Sequence, residues 1–241
     1  MYGRHRCNSN VTMRDEDVPE NTEGRVDAKA LYTKRVDAYL SFNKLFRATQ
    51  AYRAFFLSYE RLGPGLRILN AGCGTGIDAL ALIRALQRRG LGYHTFDAFD
   101  LTPAMLERFR SCIEDLQIPG VRLRDANVLE LQNLPDDWTQ YDLIVSAAML
   151  EYVPREAIAQ AVAGLRERLA PGGAFLVFIT RRNWITSLLI AKPWKANVYR
   201  AEDVRQFLTA AHFEHVTFRE FTPSYFWHNF WAHVVEASTG D

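Results

Sequence analysis

Apolar positions along this chain fall into two rhythms, and the change of rhythm marks its elements. From Ala28 to Tyr59 they recur every three to four residues. Tyr32, Val36, Tyr39 and Leu40 share one face, and Phe46, Tyr52, Phe55, Phe56 and Tyr59 continue the spacing, which predicts two aromatic-faced helices. Leu62-Gly63-Pro64-Gly65 breaks the pattern. Leu66 to Ala71 then reads as a short buried strand entering a glycine cluster. Beyond the glycines, Ala79, Leu82, Ile83 and Leu86 return to helical spacing across Asp78 to Arg88.

The alternation repeats downstream. Strands are expected at Tyr93 to Leu101, Val121 to Asp125, Tyr141 to Ala147 and Ala174 to Thr180, with helices at Pro103 to Asp115 and Arg155 to Leu169. After a helix from Ala201 to Ala211, the strand-like runs Val216 to Phe221 and Trp231 to Ala237 predict an antiparallel pair that closes the sheet. The expected architecture is one doubly wound α/β domain over 63–241, preceded by a helical lid at 27–62. Residues 1–26 hold too few large apolar groups to offset the entropy of ordering and read as a polar arm.

Composition narrows the function classes. With 29 basic and 28 acidic residues interspersed over 241, the net charge is +1, so no single-sign field marks a nucleic-acid or membrane-surface binder. A small-molecule substrate is the expectation. Three widely spaced cysteines, Cys7, Cys73 and Cys112, match neither a disulfide framework nor a zinc site, which points to no metal and to a cytoplasmic location. No apolar run of about 18 residues predicts a membrane span, and the polar first residues do not resemble an export signal.

The candidate chemistry starts at Gly72-Cys73-Gly74-Thr75-Gly76, between a buried strand and a helix, where backbone without Cβ atoms can approach a ligand closely. A dinucleotide fingerprint would put its third glycine at position 77, which is Ile77 here. Asp78 would place a carboxylate in the first helical turn, where a pyrophosphate needs free amides. Asp100 ends the second strand and can accept hydrogen bonds from both hydroxyls of a ribose, while Thr102-Pro103 starts the next helix.

Four ordered segments, Ile68-Leu69-Asn70-Ala71-Gly72-Cys73-Gly74-Thr75-Gly76, Phe99-Asp100-Leu101-Thr102-Pro103-Ala104-Met105-Leu106, Tyr141-Asp142-Leu143-Ile144-Val145 and Leu169-Ala170-Pro171-Gly172-Gly173, resemble successive motifs of small-molecule class I S-adenosylmethionine-dependent methyltransferases. The resemblance spans about residues 28 to 237 and implies a Rossmann-like, seven-stranded sheet whose final strand is antiparallel. It implies S-adenosylmethionine as cofactor and S-adenosylhomocysteine as product. The glycine loop, with Ala71, would hold the methionine part, Asp100 the ribose, and Leu101 and Met105 the adenine faces. Asp125 and the Ala126 amide would meet the adenine edge, although Asp125 also reads as an ordinary strand-end turn residue. Asn127 and Ala147 are assigned to the same site, and Arg35 to the cofactor carboxylate. Asn70 stands where the family usually has an acid, so a partner for the cofactor's ammonium is missing there. Cys73 receives no catalytic role.

The same resemblance places Glu151-Tyr152 just after the fourth strand, facing the transfer site, and makes Glu151 a candidate base or orienter. A solvated acid opening the next helix is the alternative. His228 is a further candidate base, set against a packed histidine among aromatics. Apolar residues in Trp184 to Trp194 and in Tyr225 to Trp231 suit a hydrophobic or aromatic acceptor, methylated by in-line displacement. The rival readings are an NAD(P)-dependent oxidoreductase and a catalytically silent cofactor-binding module.

Overall fold

The computed structural model describes residues 47–240. Its seven-stranded sheet has the order β3-β2-β1-β4-β5-β7-β6. The strands are β1 (Leu66–Ala71), β2 (Tyr93–Asp100), β3 (Val121–Asp125), β4 (Tyr141–Ala147), β5 (Leu169–Thr180), β6 (His215–Arg219) and β7 (Ala232–Ser238). The helices are α1 (Ala48–Ser58), α2 (Ile77–Arg88), α3 (Pro103–Asp115), α4 (Ile158–Arg166), α5 (Ala201–Ala210) and the short α6 (His228–Trp231). Neighbours among β1 to β5 pair in parallel, and β7 runs antiparallel to both β5 and β6. The doubly wound fold with an antiparallel final strand, expected from the sequence, is borne out.

Side-chain alternation along the strands divides two cores. Ile68, Leu143, Val145, Leu176 and Phe178 face α1, α2 and α3, and pack with Phe55, Phe56, Leu82, Leu86 and Phe109. Leu69, Ile144, Phe175, Val177 and Ile179 face α4 and α5, with Val162, Leu165, Val204 and Leu208. The described end of the expected lid, α1, lies in the first of these cores, where Tyr52, Phe55 and Phe56 meet the Phe178 ring edge-on. On the other face Arg122 of β3 forks onto both oxygens of fully buried Asp97, which also accepts from the Tyr141 hydroxyl at 2.7 Å. That bidentate pair fixes β2, β3 and β4 to one another.

Several boundaries differ from the sequence reading. The fifth strand begins at Leu169 rather than Ala174. Leu169 pairs with Tyr141 and the register then shifts, so Pro171-Gly172-Gly173 forms an irregularity inside the strand. Arg155–Ala157 is a single tight turn before α4. The Trp184 to Trp194 insertion is helical, with the π-wound turn Ser187–Ala191 between Trp184–Thr186 and Lys192–Trp194. Pro193 has no amide hydrogen for the regular bond back toward Leu189, which agrees with a widened turn before it. Trp231 closes α6 instead of opening β7.

The chain runs outward from β1 to β2 and β3, then returns to β4 beside β1. The crevice outside the carboxyl ends of β1 and β4 therefore lies at the point where the winding reverses, where open α/β sheets accept ligands.

Candidate active site

The loop between β1 and α2 is shaped by its glycines. Gly72, Gly74 and Gly76 have φ of +71°, +51° and +82°. A Cβ on Gly72 would collide with Met149, and one on Gly76 with the Phe109 ring, whereas one on Gly74 would meet nothing within 4 Å. Two of the glycines are thus required by packing, and the middle one leaves bare backbone beside open space. The amides of Gly72 and Cys73 both donate to the Phe99 carbonyl at 2.9 Å, which ties the loop to β2.

Asp100 organises the same edge. Its Oδ2 accepts from the Gly74 amide at 2.8 Å and its Oδ1 from the Thr102 amide at 2.9 Å. Burial raises its carboxyl, and the two amide donors oppose that rise. Each oxygen keeps acceptor capacity for a further donor. Asp125, the register partner of Asp100, is exposed. Leu101 is 40% exposed beside it, and Met105 is buried beneath the turn. The Ala126 amide, expected to donate to a ligand nitrogen, donates instead to the Asp100 carbonyl at 3.1 Å, because the β2–β3 ladder continues one residue further. Asn127 closes an Asx turn, its Oδ1 accepting from the Leu129 amide at 3.0 Å.

Under the loop lies a pair that the sequence reading did not connect. Asn70 and Ile68 share a strand face, so Asn70 points toward α2, and its Nδ2 donates to Asp78 Oδ2 at 2.5 Å. Both side chains are buried. Burial lifts the Asp78 carboxyl to about 6, with the Asn70 bond and the first amides of α2 pulling the other way. Asn70 Oδ1 and Thr75 Oγ1 are buried with no hydrogen-bond partner. The two-residue period of β1, extended to the first turn of α2, was the signal that could have joined Asn70 to Asp78.

Beyond β4, Ala147 is half-buried and Ala148 has φ +54°, a strained conformation for alanine. The turn Leu150–Tyr152 follows. Glu151 is 2% exposed, and its oxygens accept from the Thr180 amide at 2.9 Å and the Thr180 hydroxyl at 3.0 Å. Its carboxyl is pushed up to about 7 by burial. It is thus neither a solvated helix-opening acid nor an exposed one, and it clasps the turn after β4 to the end of β5. Tyr152 is half-buried in the same turn. His228 is buried among rings, 5.1 Å from Phe221 and 5.7 Å from Trp227 between centroids. Burial raises the Cys73 thiol and keeps it protonated. Arg35, with Tyr32 and Tyr39, lies outside the described residues.

The β5–β7 side of this edge carries exposed apolar side chains beside the exposed Arg181 and Arg182. Trp184 is 76% and Phe226 68% exposed, accompanied by Leu188, Leu189, Trp227 and Phe230. Asn183 Nδ2 donates to the Phe230 carbonyl at 2.8 Å, and the Arg181 amide to the Trp231 carbonyl at 2.9 Å, so the two aromatic segments are joined at the end of β5.

The donors and acceptors present suit a nucleoside with an amino-acid tail. Asp100 can accept from vicinal hydroxyls, Leu101 offers an apolar face, Gly74 leaves room for close approach, and Asn70 Oδ1 awaits a donor.

Residues 68–173 match the model of the methyltransferase domain family. A highly reducing polyketide synthase of Emericella nidulans is 28% identical over 162 residues, which are 64% of this chain and 6% of that synthase. The chain spans well under a tenth of the first curated relatives it matches. Among solved structures, mitomycin 7-O-methyltransferase aligns with a TM-score of 0.67 at 12% identity, over 89% of this chain and 61% of that one. Magnesium protoporphyrin IX methyltransferase from Synechocystis PCC 6803, with bound S-adenosylmethionine, aligns at 0.60 and 14% identity, over 91% of this chain and 100% of that one. Among the described residues no helix is long and apolar enough to cross a membrane.

Proposed function

We propose that this chain is a class I S-adenosylmethionine-dependent methyltransferase, a reading that its fold and its domain match support, and that it methylates a small hydrophobic or aromatic acceptor seated against the rim formed by Trp184, Leu188, Phe226 and Phe230. The observation that carries this reading is the adjacency, on one sheet edge, of a preformed polar cradle and an exposed apolar rim. When bound, S-adenosylmethionine supplies a methyl group already activated by its sulfonium.

The chain's own residues bind and orient. Asp100 accepts from the ribose hydroxyls while its two backbone bonds keep the carboxylate still. Leu101 covers one adenine face. Exposed Asp125 accepts from the exocyclic amine, and with the Ala126 amide committed to the ladder, the Asn127 amide is the next donor along the chain. Ala147 and the strained Ala148 bring the end of β4 to the transfer site. Glu151 acts as a positioning residue, because its oxygens are held by Thr180 and it thereby fixes the floor between cradle and rim. His228 packs among Phe221, Tyr225 and Trp227, behind the aromatic rim. The rim excludes water and holds the acceptor in line, and such positioning can account for about 7–11 kcal/mol of a barrier. A relative named as a polyketide synthase and a neighbour named as a mitomycin O-methyltransferase are in keeping with a small organic acceptor.

Calorimetric titration with S-adenosylmethionine, S-adenosylhomocysteine and NAD, repeated with Asp100→Ala, tests the cofactor. Binding of the sulfur nucleosides, weakened tenfold or more in the variant, is the expected result. Binding of NAD alone would overturn the reading in favour of an oxidoreductase. Methyl transfer from labelled S-adenosylmethionine to a library of aromatic and aliphatic acceptors tests the second half, and cofactor binding without transfer to any of them favours a silent module.

A further inference from the structure

The buried pair Asn70–Asp78 is not explained by packing or by a helix cap alone. The carboxylate of Asp78 lies in the first turn of α2 and draws on that turn's amides, which is ordinary for a helix-opening acid. The amide it holds is less ordinary. With Nδ2 bound to Asp78 at 2.5 Å, the Asn70 amide is locked, and its other end, Oδ1, is buried without a donor. Buried acceptors in folded chains are nearly always served. Among the described residues, no basic side chain forms an ion pair with Asp78. A carboxylate polarising an amide makes the far oxygen a stronger acceptor, and Gly74, in the loop that follows Asn70, leaves bare backbone and open space. A cationic donor arriving with a ligand at the glycine loop would serve both the orphaned oxygen and the carboxylate behind it.

We propose that Asn70 and Asp78 act together as the receptor for the ammonium of the cofactor's amino-acid end, Asn70 Oδ1 accepting the hydrogen bond and Asp78 supplying the counter-charge from behind it. A strand carboxylate at position 70 would do both jobs with one residue. Here the charge sits on the helix and reaches the ligand through an amide, so Asp78 is a positioning residue that acts through Asn70. Shut off from bulk water, the contact gains more from the opposite charges than the same contact in solvent. The inference rests on the cofactor proposed above, and it makes this edge selective for a zwitterionic tail.

The test compares S-adenosylhomocysteine with its deamino analogue, which keeps the carboxylate and lacks the amine, by calorimetry on the wild-type chain, Asp78→Asn and the exchange Asn70→Asp with Asp78→Asn. The wild type is expected to prefer the amine-bearing ligand at least tenfold. Asp78→Asn should erase most of that preference while leaving the deamino analogue within about twofold. The exchange, which keeps one carboxylate touching one amide, should restore the preference to within about threefold of wild type. Equal wild-type affinity for the two ligands would mean that a buried water or another part of the chain serves Oδ1, and the proposal fails. An equal loss of both ligands in Asp78→Asn also overturns it, since the acid would then only shape the loop. Should Asp78→Asn not fold, the exchange carries the test, and failure of the folded exchange to discriminate is decisive against the pair. If the wild type binds neither ligand, the cofactor assignment itself falls and takes this inference with it; binding with no discrimination sinks the pair alone.

Discussion

The two halves of the sheet's carboxyl edge are built in opposite ways. On the β1–β3 side, the backbone amides are held within the chain: the Phe99 carbonyl holds those of Gly72 and Cys73, the Asp100 carbonyl that of Ala126, and the Asp100 carboxylate those of Gly74 and Thr102, which leaves Asn70 Oδ1 and Thr75 Oγ1 as buried polar atoms without partners. On the β5–β7 side, exposed tryptophan, phenylalanine and leucine are carried by the helical insertion from Trp184 through the π-wound turn and by the segment from Phe226 to Phe230, beside the exposed cations Arg181, Arg182 and Lys192. On the proposed function, the first half is a hydrogen-bonded frame for one fixed ligand. The second is an adaptable apolar face, where binding depends on area more than on geometry. A transferase that uses one donor and an acceptor of its own needs this division.

The sharpest break of the comparison is at Gly76. Its Cβ would fall 2.2 Å from the Phe109 ring at φ +82°, so Gly76→Ala combines backbone strain with over-packing. A loss of about 2–4 kcal/mol of folding stability is expected in denaturant titration. A loss below about 1 kcal/mol would show that the frame yields, and that the contrast with the other half is overstated.

Next in size is the clasp between the halves. The Glu151 carboxyl stands at about 7 in the folded chain against an ordinary 4.5, owing to burial. A raised acid favours folding fully below its unfolded value, and that contribution is lost as pH rises from about 4.5 through about 7. Glutamine keeps an acceptor for the Thr180 amide and a donor for its hydroxyl without the charge. Glu151→Gln should match wild type near pH 4.5 and exceed it by about 3 kcal/mol at pH 8. A gap that does not widen with pH means the carboxyl is not desolvated. Loss of turnover in the folded variant at saturating cofactor, out of proportion to any change in KM, would return Glu151 to the part of a base.

Asp100→Ala comes third. Removing the acceptor of two amides, which is also the proposed ribose acceptor, should weaken S-adenosylhomocysteine about tenfold or more, near 1.4 kcal/mol, with a smaller loss of stability because the loop stays tied to Phe99. A stability loss that exceeds the binding loss would make Asp100 chiefly a structural pin.

What the sequence disclosed follows the same division. Glycines between a strand and a helix, an acid at the next strand's end and alternating apolar runs are local signals, and they marked the glycine loop and the strands of a doubly wound sheet, while the order of the strands came only with the structure. Contacts between distant positions left no local trace. The clasp of Glu151 to Thr180 spans 29 positions, and nothing around Glu151 marks its partner. The committed Ala126 amide depends on how far the β3 ladder runs, which the residue types do not state. Ala148 adopts a left-handed conformation with no glycine or asparagine to announce it. The rim was legible as apolar content, but its exposure was not, since tryptophan and leucine at helical spacing ordinarily read as core.

That exposure sets the smallest effect on folding and the most specific one on function. Trp184 stands 76% free, so Trp184→Ser removes little buried area and should change stability by less than about 0.5 kcal/mol. If the rim seats the acceptor, the variant raises the acceptor's KM severalfold while the affinity for S-adenosylhomocysteine stays within about twofold, because no described contact links Trp184 to the glycine loop or to Asp100. An equal decline of both would mean that the rim supports the cradle. A marked loss of stability would mean instead that Trp184 is covered in solution. Both outcomes would dissolve the contrast between a fixed polar half and a free apolar one.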